Sequence, residues 1–236
     1  MRLAEGLIFA SDTRTNAGVD HIATFRKMHV FEQPGDRLIV LLTSGNLATS
    51  QSVVGLLRHR CGLSGDCLLT VPNLYQAAVL VGATVREILA RDSFNPTAGQ
   101  SIDFGCSILL GGQIQGEEPG LFNIYPQGNF IEASVDTPYF QIGEAKYGKP
   151  IIDRVLRYQT PLKEAAKCTL ISFDSTVRSN LSVGLPIDMM LYRTGSFTAA
   201  TICRIDGSDP YFNQLRKGWG EGLRKVFAKL PDADWF

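Results

Sequence analysis

Three short stretches of the 236-residue chain bring together groups that could act in concert. Ser11-Asp12-Thr13-Arg14 closes an apolar, strand-like run, and Lys27 follows within TFRKM. Thr43-Ser44-Gly45 stands where a continuously apolar segment gives way to helical spacing. A carboxylate, a cation and an unobstructed glycine amide are components of hydrolytic sites. Each residue alone has a plainer reading. Asp12 would cap a turn with Arg14, Lys27 would be a solvated charge beside Arg26, Gly45 a turn glycine and Ser182 a hydroxyl at a helix end.

The remaining reactive residues form no comparable set. His21, His29 and His59 have no carboxylate or cysteine at ligand spacing. The cysteines (Cys61, Cys67, Cys106, Cys168 and Cys203) are odd in number and scattered, with no CxxC pair, and none is N-terminal or in a nucleophile elbow. They read as reduced thiols filling small apolar spaces in a cytoplasmic protein. No cofactor or metal site is expected. Gly111 and Gly112 read as a hairpin turn, because no Gly-Lys-Ser or Gly-Lys-Thr follows to make a phosphate loop. Glu144, Lys146 and Lys149 read first as a solvated cluster at a helix start, the alternative being that Glu144 faces the site.

Composition narrows the partners. With 44% hydrophobic and 19% charged residues the chain can bury a sizeable core. Lys plus Arg equals Asp plus Glu at 23 each, which leaves no global field for nucleic acid or an anionic membrane. MRLAEGLIFASD makes a poor signal peptide, and no segment reaches the roughly 20 apolar residues of a membrane span. Proteins, peptides and small molecules remain.

The elements that must position the site follow from periodicity. Gly6 to Phe9, Ile22 to Phe31 and Arg37 to Thr43 read as three opening strands, the third apolar throughout and so central in a sheet. Val53, Val54, Leu57 and Cys61 mark a helix ended by Gly62. Asn73 caps a second, with Leu74, Ala78, Val81, Val85, Ile88 and Leu89 as its stripe. A polar loop is expected from Arg91 to Gln100. IDFGCSILLGG, GLFNIYPQG and NFIEAS form a meander turning at Gly111-Gly112 and at Gln127-Gly128. Helical spacing returns at Ile151, Ile152, Val155 and Leu156, and again after Thr160, read as a cap, and Pro161; there the stripe is Leu162, Ala166, Thr169, Leu170, Phe173 and Val177. PIDMMLYRTG and FTAATICRID are strands, and Leu215, Trp219, Leu223 and Val226 line a final amphipathic helix. Strands and paired helices in this order predict an α+β fold, a four-layer αββα sandwich of two antiparallel sheets between helical layers, in a single domain over residues 1–236. Trp235 and Phe236 would dock a neighbouring subunit or pack on the same chain.

FASDTRTNAG, ATFRKMHVF and LLTSGNLATSQ resemble the proteasomal β-subunit pattern of N-terminal-nucleophile hydrolases. GLFNIYPQGNFI, FQIGEAKYGKPIIDR and STVRSNLSVGLPIDMMLYR are similar in particular to the bacterial proteasome-like β subunits of the Anbu group, nearly end to end. The resemblance implies a threonine whose hydroxyl attacks and whose own α-amine, with an ordinary pKa of about 7.7 to 8.0, is the base. Lys27 would be the cation that lowers the proton affinity of both groups, and Asp12 would orient it. The Gly45 amide would donate to the oxyanion, a contribution worth about 10² to 10³ in rate. Ser182 matches the serine that sets the amine.

Three positions depart from the pattern. Glu144 stands after Gly143 where the proteasomal loop has serine, and Ser179 stands where an aspartate precedes the final serine, so the relay around the amine is altered. The chain begins Met1-Arg2-Leu3 and a turn, which read as the tail of the family's first strand without its threonine. A start placed one strand too late is the simplest expectation. The implied function is a threonine peptidase subunit that hydrolyses peptides or unfolded protein inside a self-assembled ring or spiral homo-oligomer, inactive as written. The alternatives are a structural subunit of such an assembly and an amidase for small amides. An ATPase partner is not specified by these residues.

Overall fold

The computed structural model describes residues 1–16, 22–92, 103–199 and 202–235. The chain opens with β1 (Arg2–Leu3) and β2 (Gly6–Asp12), followed by β3 (Arg14–Asn16) and β4 (Ile22–Thr24). Next, β5 (Met28–Gln33) and β6 (Arg37–Gly45) lead into α1 (Leu47–Arg60) and α2 (Leu74–Asp92). Three strands follow, β7 (Cys106–Ile114), β8 (Gly120–Ile124) and β9 (Phe130–Glu132), and then α3 (Lys149–Val155) and α4 (Leu162–Ser179). Strands β10 (Ile187–Arg193) and β11 (Cys203–Ile205) precede α5 (Pro210–Phe227).

All strand pairs are antiparallel. One sheet has the order β1-β2-β10-β11, a second runs β5-β6-β7-β8-β9, and β3 with β4 makes a separate ribbon. The core is layered accordingly. Ile39, Leu41, Ile108 and Leu110 face Val53, Leu57, Val81 and Val85, so α1 and α2 cover one face of the five-stranded sheet. Its other face, through Leu38, Val40 and Leu42, meets Leu7, Phe9, Met190 and Tyr192 of the smaller sheet. Beyond that sheet Ile8 packs on Ile152 of α3 and on Leu162 and Ala165 of α4, while Met189 packs with Leu170 and with Phe212 of α5. The four-layer α+β sandwich expected from element order is the observed architecture. Period-two alternation along β2 and β6 is what lets each strand bury both faces.

Local chemistry explains the boundaries. Asn46 caps α1 by accepting from the Thr49 amide at 3.1 Å, and Asn73 accepts from the Gln76 amide at 2.8 Å at the start of α2. Thr160, in contrast, does not cap α4. Its hydroxyl accepts from the Arg157 amide at 2.8 Å, and the Leu162 amide donates instead to the Glu5 carboxylate at 3.3 Å.

Other expectations are corrected. Gly111 and Gly112 lie inside β7, opposite Val40 and Ile39, and make no turn. A Cβ on Gly112 would stand 2.1 Å from the Leu38 carbonyl oxygen, and one on Gly111 2.7 Å from the Phe9 ring, so these glycines admit close neighbours. The Ile22–Phe31 run divides into β4 and β5, because the Phe25 amide donates to Thr13 and the Lys27 carbonyl accepts from Thr43. Helix α2 extends through Asp92, and residues 93–100 of the expected loop, like His21 and Phe236, lie outside the described residues. In FTAATICRID only Cys203–Ile205 is regular strand among the described residues. On α5, Phe212 is buried and Leu215 packs against it, but Leu223 and Val226 are 51% and 61% exposed.

Candidate active site

The break between β4 and β5 turns Lys27 toward the end of β2. Its Nζ lies 2.6 Å from Asp12 Oδ1, with 21% of the Lys27 side chain and 11% of the Asp12 side chain exposed. The other carboxylate oxygen, Oδ2, accepts from the Arg14 amide at 3.1 Å and the Gly184 amide at 3.3 Å. The turn-capping and ion-pairing readings of Asp12 therefore hold together, one on each oxygen. The Arg14 guanidinium donates to the Leu181 carbonyl at 2.9 Å and lies where any side chain on Gly184 would have to go, which pins the segment after α4 over the end of β2.

Gly45 is the last residue of β6, at φ +98. A Cβ there would meet the Gly105 carbonyl oxygen at 2.5 Å, so only glycine fits this crossing from strand to cap. Asn46 follows as the cap of α1. A cavity of about 350 Å³ is bordered by Asp12, Lys27, Gly45, Glu144 and Ser182. On the same wall, Ser11 Oγ and Gln141 Oε1 are buried without a hydrogen-bond partner.

Glu144 belongs to the cavity rather than to a solvated cluster with Lys146 and Lys149. One of its oxygens accepts from the Asn180 side-chain amide at 2.7 Å and the other from the Lys146 backbone amide at 2.8 Å. Asn180 Oδ1 in turn accepts from the Ser182 hydroxyl at 2.7 Å and the Ser182 amide at 2.8 Å. Glu144 and Ser182 are thus joined through Asn180, which the sequence reading passed over. Ser179, the residue expected in this network, is exposed and outside the cavity. The missed signal was an Asn two residues before a Ser, the spacing of an Asx turn.

Met1 also borders the cavity. Its amine donates to the Ile8 carbonyl at 2.7 Å, and the Ile8 amide donates back to the Met1 carbonyl at 3.0 Å, so Met1 continues the β1–β2 ladder. Burial lowers this amine from 8.0 to about 5. His29, on β5, lies outside the cavity and is lowered to about 4 by burial and then by the Arg58 charge. Burial pushes the Cys106 thiol up to about 11. Cys67, Cys106 and Cys168 are buried as expected, whereas Cys203 is exposed. Among the described residues no cluster of three or more His, Cys, Asp or Glu could hold a metal ion, and no helix is long and apolar enough to cross a membrane.

Neither a protein-family model nor a curated protein matches the chain. Solved structures do. Anbu (ancestral beta-subunit) from Yersinia bercovieri is 59% identical over 100% of this chain and 98% of its own, with a TM-score of 0.95. The chain belongs to the Anbu family. The Anbu complex from Pseudomonas aeruginosa, described as a helical assembly, is 52% identical over 100% of this chain and 97% of its own, with a TM-score of 0.95. Anbu from Hyphomicrobium sp. strain MC1 is 51% identical over 99% and 97%, at 0.90. Membership of the Anbu family agrees with the layer order, in which the Asp12–Lys27 pair joins the end of β2 to the residue before β5.

Proposed function

We propose that the cavity at Asp12, Lys27 and Gly45 is the centre of a threonine-type peptidase subunit that works inside a self-assembled ring or spiral. The observation that carries this reading is the Lys27 ammonium, held by Asp12 at 2.6 Å and facing a cavity bordered by Gly45. A hydroxyl nucleophile needs a cation to lower its proton affinity and an amide to receive the oxyanion. Such a nucleophile has a natural approach. Met1 stands opposite Ile8, so an antiparallel strand continued ahead of Met1 would reach Asp12 in about four residues at ~3.3 Å each. Ser11 Oγ and Gln141 Oε1 would then find backbone partners. Glu144, Asn180 and Ser182 replace the relay that sets the amine. Assembly is suggested by the helical complex of the Pseudomonas aeruginosa relative and by the apolar face of α5, where Phe227 is 78% exposed.

The second reading is a structural subunit of such an assembly without catalysis. A fluorogenic peptide assay separates the two. Protein carrying an added N-terminal strand that opens with Thr is expected to hydrolyse the peptide, and Lys27→Ala in that protein to abolish turnover. Silence with the added threonine supports the structural subunit, and turnover of small acyl amides without peptides supports an amidase.

A further inference from the structure

Helix α5 is covered along only part of its length. Phe212 is buried with Leu170 of α4, Leu215 packs on the same cluster, and Arg216 Nε lies 2.6 Å from the buried Asp174 carboxylate. From Leu223 to Leu230, in contrast, every residue is exposed. Leu223, Val226, Phe227 and Leu230 recur there at helical spacing, and the Leu230 amide still donates to the Phe227 carbonyl at 3.1 Å. The four side chains therefore form one apolar stripe. Arg224, Lys225 and Lys229 flank it, and among the described residues none of the three has a carboxylate within ion-pair distance. A stripe that is apolar along its middle and cationic at its rim fits a partner that is apolar and anionic.

The same chain carries such a surface on another layer. Strand β9 is the open edge of the five-stranded sheet, and the chain leaving it exposes Ile131, Glu132, Val135 and Asp136. Neither carboxylate is ion-paired among the described residues, and Arg2 donates to the Ala133 carbonyl at 3.1 Å rather than to either of them. Exposed Tyr75 of α2 adds apolar surface beside this edge, its ring 5.5 Å from that of Phe130. Because α5 lies over the smaller sheet and β9 borders the other one, a contact between them joins two copies of the chain.

We propose that the outer half of α5 docks on the β9 patch of a second copy of this chain, apolar stripe against Ile131 and Val135, and Arg224, Lys225 and Lys229 against Glu132 and Asp136. The proposal rests on the reading of the chain as a self-assembling subunit and gives that assembly its two surfaces. They differ, so each copy offers one to either neighbour. Such a heterologous contact repeats from copy to copy and closes as a ring or continues as a helix. Charge argues against the other occupants. Two α5 helices paired about a two-fold axis would bring their cations together, and an anionic lipid surface would meet exposed Asp232 and Asp234 directly after the stripe.

The test reverses charge on each surface of the full chain. Lys225→Glu with Lys229→Glu alters α5, and Glu132→Lys with Asp136→Lys alters the β9 patch. All four residues are exposed, and thermal melting followed by circular dichroism checks that each variant keeps its fold. Sedimentation velocity over a concentration series gives the midpoint of assembly. Either pair of changes alone is expected to raise that midpoint by at least about 100-fold, because like charges then face each other. All four changes together should recover most of the loss, since the two surfaces are again complementary. Phe227→Ser, which leaves the charges alone, should also raise the midpoint. The contact is overturned, with self-assembly intact, if either pair alone assembles like the unsubstituted chain, or if the four changes together assemble no better than one pair. If the α5 changes abolish binding to phosphatidylserine vesicles and leave assembly unchanged, the stripe serves a lipid surface instead. A chain that stays monomeric throughout the series overturns both the contact and the self-assembly it rests on.

Discussion

The Asp12–Lys27 pair can be weighed by a double-substitution cycle with Asp12→Ala, Lys27→Met and both together. At 2.6 Å the Coulomb attraction is about 6 kcal/mol for an effective dielectric of about 20. Desolvation of both ions offsets most of it, and the residual exposure of Lys27 limits that cost, which leaves a net coupling of about 2 kcal/mol. Asp12→Ala also strands the Arg14 and Gly184 amides at about 1 kcal/mol each, for a total near 4 kcal/mol. Lys27→Met alone should cost about 2 kcal/mol, because Asp12 keeps its two amide donors. On the Asp12→Ala background the same change should cost about nothing. Urea unfolding at fixed protomer concentration and neutral pH reads each value from the midpoint. The coupling should survive added salt, since water reaches little of the pair. A coupling below about 0.5 kcal/mol, or one that salt erases, would make this an ordinary surface ion pair and remove the physical basis for a fixed cation at the cavity.

Acid should weaken the fold through His29. The unfolded chain binds a proton near pH 6.5 that the folded chain refuses until about pH 4, so the stability is present above 6.5 and lost as pH falls toward 4. Partial exposure discounts the loss to about 2 kcal/mol, and His29→Leu should flatten that part of the urea-midpoint profile between pH 7 and 4. Gly112→Ala pushes a Cβ against backbone in the middle of the five-stranded sheet and should cost about 3 kcal/mol by the same assay. Gly55→Ala, on α1 with open space around it, should instead stabilise by up to about 1 kcal/mol.

Periodic burial made most of the fold legible. The stripe Leu74, Ala78, Val81, Val85 and Ile88 is buried on α2, and the apolar run from Leu38 to Leu42 does lie central in a sheet. Two kinds of information were missing. Glycine pairs serve turns and close approaches alike, and only the position of Phe9 and Leu38 distinguishes these at Gly111 and Gly112. Amphipathic spacing says that a face is apolar but not what covers it, so α5 carries its stripe with Leu223 and Val226 exposed. Asp12 and Gly45 stood out at strand ends, where the period changes, whereas Lys27, read inside one strand from Ile22 to Phe31, was singled out by the family resemblance.

The exchange of Ser179 for Asn180 in the cavity network follows from where α4 stops. Ser179 is the last helical residue, so its side chain keeps its place on the helix and points to solvent. Asn180 has left the helix, with φ −141 and ψ 117. Consecutive helical residues are turned by about 100°, and an extended residue breaks that progression. A boundary shift of one residue, within the ordinary uncertainty of helix ends, therefore decides which side chain reaches Glu144. The same extended exit carries Ser182 and Gly184 across the end of β2, where the Gly184 amide reaches Asp12. One helix terminus thus sets both halves of the site: the carboxylate that holds Lys27 and the amide that joins Glu144 to Ser182.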